Sequence, residues 1–333
     1  MKTLNIGLVG CGVMGSGLAK ALSGIDGANL AVVCDPVKDA AKGLGEELGV
    51  PYTDDLEKVL GRKRIHGIIG APPPFKHREV AVAAAKAGKH VFIEKPFAAN
   101  LKDCDAIIRA VRRAKIKLMV GQVCRFNPFH RKIRDMVAEG SIGDPVFMHV
   151  YRIGGVWGGI WAKSWRMSRK MSGGTLLEVN AHEIDFMRFV CGDIKSVFAA
   201  GGIYKQTEAD YPDLAAVTMN FASGAVGFLH SSQVSAIGGY GGRIDGTEGS
   251  LNFPSIWGDG SGIHFRKSDG STGFIPAADL TAPDPVQLEL SAWLDSIRHD
   301  TEPPIPGSEG RAVVEIAEAA YESIETGKVV ELR

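Results

Sequence analysis

The sequence has no excess of either charge: 38 lysines and arginines stand against 38 aspartates and glutamates. A surface built to track nucleic acid or an anionic membrane wants a basic surplus, and this chain has none. It also lacks any stretch near the roughly 18 apolar residues needed to cross a bilayer. The apolar start is broken by Gly7, Gly10, Gly12, Gly15 and Gly17. No small-residue cleavage site closes it, so it does not read as a secretory signal. Cysteine is sparse. Cys11, Cys34, Cys104, Cys124 and Cys191 are odd in number and form no CxxC pair. That argues against a disulfide framework or a cysteine zinc site. They read as small buried hydrophobes, and a soluble, cytoplasmic protein is expected. Internal repeats and low-complexity tracts are missing too. Pro303-Pro304-Ile305-Pro306 is a short stiff connector, not a linker.

Glycine is plentiful, at 42 of 333 residues, which implies many tight turns or close backbone approaches. The length suits two domains. The first third alternates short apolar runs with helical patterns. Strands are expected at Thr3–Val9, Asn29–Cys34, Gly67–Ile69, His90–Ile93 and Leu118–Gly121. Helices are expected at Met14–Leu22, Lys38–Leu48, Phe75–Ala87 and Leu101–Lys115, the last capped by Asn100. Such alternation predicts a doubly wound parallel sheet over residues 1–122, a dinucleotide-binding Rossmann domain. Its strands are apolar without alternation, as befits strands covered on both faces.

From residue 123 to 333 the pattern predicts an α+β domain for substrate binding and oligomerisation. A helix at Pro128–Glu139 and a strand at Pro145–Tyr151 precede a helix that starts near Thr175. Successive strands from Ile194 to Phe274 form a large, mainly antiparallel open sheet, followed by helices at Val286–Arg298 and Glu309–Thr326. If helices cover one face only, Val217, Met219, Phe221 and Phe228 on the other would make an interface between subunits.

Gly10-Cys11-Gly12-Val13-Met14-Gly15 fits GxGxxG, follows a strand and opens a helix. Gly10 permits the tight turn, Gly12 lets backbone approach a pyrophosphate, and Gly15 lets helix and strand pack. Val13 and Met14 open the helix whose free N–H groups would face the phosphates. Asp35 ends the next strand, where a carboxylate accepts from both ribose hydroxyls and repels a 2′-phosphate. NAD is therefore expected over NADP, although Lys38 lies within reach of the same area.

Two more segments carry chemistry. Glu94-Lys95-Pro96 follows the strand His90–Ile93, and Gly173-Gly174-Thr175-Leu176-Leu177-Glu178-Val179-Asn180-Ala181-His182-Glu183-Ile184-Asp185 carries acids around a histidine. With the glycine loop, these closely resemble the Gfo/Idh/MocA oxidoreductase family. Smaller matches are Arg125-Phe126, Trp165-Arg166, Gly246-Thr247-Glu248-Gly249 and Ala319-Ala320-Tyr321-Glu322-Ser323. The resemblance implies hydride transfer between a nicotinamide cofactor and a hydroxyl carbon of a sugar, polyol or inositol. It maps the catalytic residues onto Lys95, Glu178 and His182. It adds Pro72, Glu94 and Lys95 to the cofactor contacts. It places Arg125, Trp165, Arg166, Asn180 and Asp185 near the substrate, and it implies dimers or tetramers through the second sheet. The family usually has Asp where Glu178 stands, one methylene shorter.

The residues argue for the same chemistry independently. Oxidising an alcohol needs a hydride acceptor, a base for the hydroxyl proton and a charge that steadies the alkoxide. His182 titrates near neutrality. Glu178, four residues earlier on the expected helix, or Asp185, three later, could hold its ring. Lys95, at the carboxyl end of a parallel strand, could polarise the reacting oxygen. With one group in each domain, a site between the domains is expected. His182-Glu183 does not extend to HExxH, because position 186 is Phe186, so no metal is expected. Residues 150–172 hold Arg152, Lys163, Arg166, Arg169 and Lys170, three tryptophans and no acid. They read either as a loop over an acidic or phosphorylated sugar, or as a subunit contact or packed tryptophan loop. Two alternatives to a dehydrogenase stay open: an NAD-dependent glycosidase that oxidises transiently, and an inactive NAD-binding regulator.

Overall fold

The computed structural model describes residues 3–258 and 260–332. They form two compact units: Met1–Val123 with Pro283–Ala312, and Cys124–Ala282 with Val313–Arg333.

In the first unit, β1 (Leu4–Val9), β2 (Ala28–Cys34), β3 (Tyr52–Thr53), β4 (Gly67–Gly70), β5 (His90–Glu94) and β6 (Leu118–Gly121) alternate with α1 (Val13–Ser23), α2 (Lys38–Leu48), α3 (Leu56–Leu60), α4 (Pro74–Lys86) and α5 (Leu101–Ala114). All strands pair in parallel, in the order β3-β2-β1-β4-β5-β6. This is the doubly wound order in which the chain reverses direction across the sheet beside β1. Every residue of β4 and β6 is buried, which explains their unbroken apolar runs. The expected strands and helices stand within a few residues of their predicted ends. The pair β3 and α3 went unforeseen: two residues of strand and five of helix leave little periodicity to read. Asp55 caps α3 by accepting from the Glu57 and Lys58 N–H groups.

One departure concerns the chain's return. The expected second domain runs unbroken from residue 123, but residues 283–312 rejoin the first unit. The cause is apolar packing. Trp293, fully buried, sets its ring 5.9 Å from that of Phe92. A methyl group on Gly67 would press on the same indole. The Val120 N–H donates to the Ile305 carbonyl, and Gly310 lies against Phe97 and Val120. Sequence periodicity records that a helix has an apolar face, not which sheet that face meets.

The second unit runs α6 (Pro128–Ala138), β7 (Pro145–Ile153), α7 (Arg169–Ser172), α8 (Thr175–Glu178), α9 (Ala181–Cys191), β8 (Ile194–Gly202), β9 (Leu214–Phe221), β10 (Val226–Ser232), β11 (Gly239–Gly246), β12 (Gly249–Phe253), β13 (Gly262–Lys267) and β14 (Thr272–Pro276). Next, α10 (Pro285–Arg298) belongs to the first unit. Then α11 (Gly307–Thr326) starts in the first and continues in the second, before β15 (Val330–Glu331). The nine strands lie in the order β14-β13-β12-β11-β7-β10-β9-β8-β15. Pairing is antiparallel except between β7 and β10.

The side-chain alternation corrects one expectation. Val217, Met219 and Phe221 are fully buried on the face that α9 covers, where Gly227 approaches Met187 and Phe221. Only Phe228, of the four residues assigned to the open face, belongs there. It lies opposite Thr218 of β9 and His149 of β7, near exposed Phe198 and Val226. Alternation alone leaves two faces equivalent, and the helix decides which is inside.

Candidate dinucleotide and catalytic site

The glycine loop is built by three different constraints. Gly10 has φ +99°, and a Cβ there would stand 2.5 Å from the Ala71 carbonyl carbon. A Cβ on Gly15 would collide with the Gly10 carbonyl oxygen. At Gly12 a Cβ would meet no protein atom within 4 Å, so nothing inside the chain demands glycine there. Gly12 is also the N-cap of α1, whose first turn has no side-chain cap and no acid, and Val13 and Met14 are exposed. Asp35 closes the loop. Its Oδ2 accepts from the Cys11 N–H and its Oδ1 from the Val37 N–H, each at 2.8 Å. Burial first, and the Asp35 charge second, push the Cys11 thiol up to about 12 and Cys34 to about 11. Both thiols stay protonated and inert.

Pro72 lies past the end of β4, and Glu94 and Lys95 at the end of β5. Glu94 is buried, and its Oε2 accepts from the Lys95 N–H at 2.9 Å, which tightens the turn under the lysine. The Lys95–Pro96 peptide is cis. Two residues beside this turn escaped the sequence reading. His77, one turn into α4, is buried with its ring between the Pro72 and Pro96 carbonyls. Gln122, just past β6, is buried with neither amide atom hydrogen-bonded among the described residues. Neither had a signal in the sequence, since the partners of His77 are backbone atoms.

In the second unit, Gly173 and Gly174 have φ +82° and +76°, and a Cβ on Gly174 would collide with the Tyr321 hydroxyl. That hydroxyl accepts from the Leu176 N–H at 3.0 Å. The expected single helix from Thr175 is broken: α8 ends at Glu178 and α9 starts at Ala181. The Asn180 N–H reaches back five residues to the Thr175 carbonyl. The Asn180 side chain donates to Glu183 Oε2 at 2.9 Å and accepts from the Ser231 hydroxyl at 2.6 Å. The four-residue spacing of Glu178 and His182 therefore does not by itself set them on one helical face. His182 is half-buried in the first turn of α9.

Of the other residues assigned to the substrate, Arg125, Arg166 and Asp185 are drawn into ion pairs, and Trp165 lies against one of them. Glu178 Oε1 accepts from Arg166 Nε at 2.7 Å, both side chains being largely buried. The Arg166 guanidinium lies 4.3 Å from the Trp165 ring centroid and 5.2 Å from those of Trp157 and Trp161. Arg125 grips Asp185 through two bonds of 2.8 Å. Arg152 donates to buried Glu183 at 3.1 Å and stacks on Tyr240 and Trp257. Arg169 meets Glu325 at 2.6 Å. The three arginines of the loop that holds no acid in its own sequence thus pair with acids from elsewhere.

Fold and loop together define a Rossmann-type dinucleotide-binding protein. Residues 4–122 match the oxidoreductase family with an NAD-binding Rossmann fold, and residues 130–252 match the GFO/IDH/MocA C-terminal domain. The chain belongs to the Gfo/Idh/MocA family. It is 28% identical to a myo-inositol 2-dehydrogenase of Thermotoga maritima, over 99% of this chain and 98% of that protein. It is 28% identical to an NAD+-dependent scyllo-inositol 2-dehydrogenase of Bacillus subtilis, over 98% and 95%. A levoglucosan dehydrogenase solved with NADH superposes with a TM-score of 0.90 at 23% identity, all of both chains being covered, and shares the fold. No helix among the described residues is long and apolar enough to cross a membrane.

Proposed function

We propose that this protein is an NAD-dependent dehydrogenase or reductase that moves a hydride between nicotinamide and a hydroxyl-bearing carbon of a cyclic polyol or sugar, inositols first. The observation that carries the reading is the strand-end arrangement of one sheet, in which Lys95 follows β5 at the same edge where the glycine loop follows β1. The residues fit the cofactor. Gly12 needs no glycine for the protein's own packing, and α1 offers an acid-free N-terminus to a pyrophosphate. Asp35 uses one acceptor site on each oxygen for the loop and keeps others for ribose hydroxyls. Its charge favours NAD over NADP.

When bound, the cofactor supplies the hydride acceptor. Lys95 directs its ammonium at the substrate oxygen and stabilises the alkoxide, while His182 takes the hydroxyl proton. Glu178 acts through Arg166 and the loop around it. Asn180 and Asp185, with Arg125, keep α9 in place beneath His182. The inositol dehydrogenases among the relatives support the substrate class. The open face of the second sheet, with Phe228, His149 and Phe198, supports a homodimer or homotetramer.

The test is NADH absorbance with myo-inositol, scyllo-inositol, levoglucosan and simple sugars, with aryl glycosides in parallel. Turnover of a polyol or sugar with net NADH is expected. Release of aryl alcohol without net NADH would replace this reading with transient-oxidation chemistry. A relative that is a 2,7-anhydro-N-acetylneuraminate hydratase, 30% identical over 67% of this chain, keeps that arm necessary. Tight NAD binding with no turnover of any of them would favour a regulator.

A further inference from the structure

His77 is among the most deeply enclosed polar side chains of the first unit, and its ring touches two loops at once. Nε2 lies 2.8 Å from the Pro72 carbonyl oxygen. Nδ1 lies 2.9 Å from the Pro96 carbonyl oxygen and 3.4 Å from that of Phe97. Carbonyl oxygens only accept, so a ring with one proton donates to one loop, through Nδ1 or Nε2 according to its tautomer, and packs against the carbonyl of the other. Burial chiefly, with the nearby Lys95 charge as the last cause, lowers His77 to about 4. At neutral pH the ring carries one proton and no charge.

The two loops are those that matter for chemistry. The order β3-β2-β1-β4-β5-β6 sets Asp35 on one side of the glycine loop and the ends of β4 and β5 on the other. A dinucleotide with its adenosine ribose at Asp35 therefore lays its nicotinamide half over the ends of β4 and β5. Pro72 follows β4 and Lys95 follows β5. A ring that spans them fixes their spacing, and no strand pairing does so beyond Gly70 and Ile93.

We propose that His77 is a positioning residue: hydrogen-bonded to one loop and packed against the other, its ring spaces the Pro72 loop from the Lys95–Phe97 turn and so holds one spacing between nicotinamide and the Lys95 ammonium. This rests on the cofactor reading above. A purely structural histidine would matter for stability alone, whereas a positioning one separates the two halves of the cofactor.

The full-length protein with His77→Leu, and with His77→Gln as the conservative variant, is titrated with NADH and with ADP-ribose, which lacks nicotinamide. ADP-ribose should bind all three proteins alike. His77→Leu should bind NADH about tenfold more weakly, the scale of one hydrogen bond lost at a pocket wall, and lose the emission change of bound nicotinamide. His77→Gln, which keeps one donor, should recover part of both. Should His77→Leu fail to fold, the same split is read from His77→Gln against wild type. Wild-type NADH affinity and emission in the variants overturn the proposal. So does an equal loss of NADH and ADP-ribose, which marks a merely structural ring. If wild type binds neither ligand, the cofactor reading has failed, and the proposal falls with it.

Discussion

At Gly15 an added methyl group would run into the Gly10 carbonyl, whereas at Gly12 the same group would touch nothing in the chain. The two substitutions should therefore behave differently. Gly12→Ala should leave the melting temperature of the cofactor-free protein unchanged and weaken NAD binding. Gly15→Ala should lower both, because the loop itself must shift. Calorimetry with and without NAD reads both, and equal melting loss in the two would refute the distinction. Lys95→Ala and His182→Ala concern the chemistry. Each should cut kcat about 10²–10⁴-fold, the usual worth of a positioned proton-transfer group, while NAD affinity changes little. The double variant should lose less than the product of the single losses, because the proposed reaction has both act on one hydroxyl. Near wild-type kcat in His182→Ala would make Lys95 the leading base.

At the scale of elements, Glu178 gains at the break between α8 and α9 a partner that its spacing in the sequence does not show. Its carboxylate meets Arg166, which three tryptophans enclose, so the pair locks the loop of residues 157–166 against the end of α8. Glu178→Gln leaves a largely buried guanidinium without its counter-charge. Breaking a buried pair on one side costs up to about 3–5 kcal/mol. A clearly lower denaturant midpoint is expected, along with reduced activity. Replacing both partners with apolar residues, Glu178→Leu with Arg166→Met, should restore stability but not activity. If Glu178→Gln keeps wild-type stability and only moves the pH–rate profile, Glu178 serves the His182 ring directly. Glu183 does the parallel job for α9, holding Arg152 and Asn180 at once.

For the whole molecule, two buried histidines set an acid limit. Burial lowers His77 and His130 to about 4 from an ordinary value of 6.5. His130 spends its nitrogens on Asn127 and the Tyr240 hydroxyl. Each ring takes up its proton on unfolding. Below about pH 6.5 the unfolded chain binds the proton and the folded chain does not. Stability is therefore complete above that pH and declines towards pH 4, by about 3 kcal/mol for each ring. Urea midpoints between pH 7.5 and 4.5 should fall accordingly, and His130→Gln should remove about one proton from the slope. An unchanged slope in His130→Gln would show that His130 is not held neutral. Association belongs to the same scale. Light scattering at micromolar concentration should give a dimer or tetramer, and Phe228→Lys should shift it towards one subunit. A single-subunit mass for wild type would reject the open face as an interface.

The sequence by itself determined the parallel sheet, the glycine loop and Asp35, because those depend on local requirements: apolar runs, positive φ and a helix start at fixed spacing. It also singled out Lys95 and His182 by chemistry and resemblance. Tertiary structure alone decided matters that depend on partners distant in the chain. Arg152, Arg166 and Arg169 looked bare because Glu183, Glu178 and Glu325 lie outside their segment. Val217, Met219 and Phe221 alternate correctly, yet alternation is blind to which face α9 covers. Trp293 has an apolar helix face, and packing on Phe92 and Gly67 chose its unit. His77 left no trace in the sequence because its partners are carbonyl groups, which every residue carries and only folding brings into position.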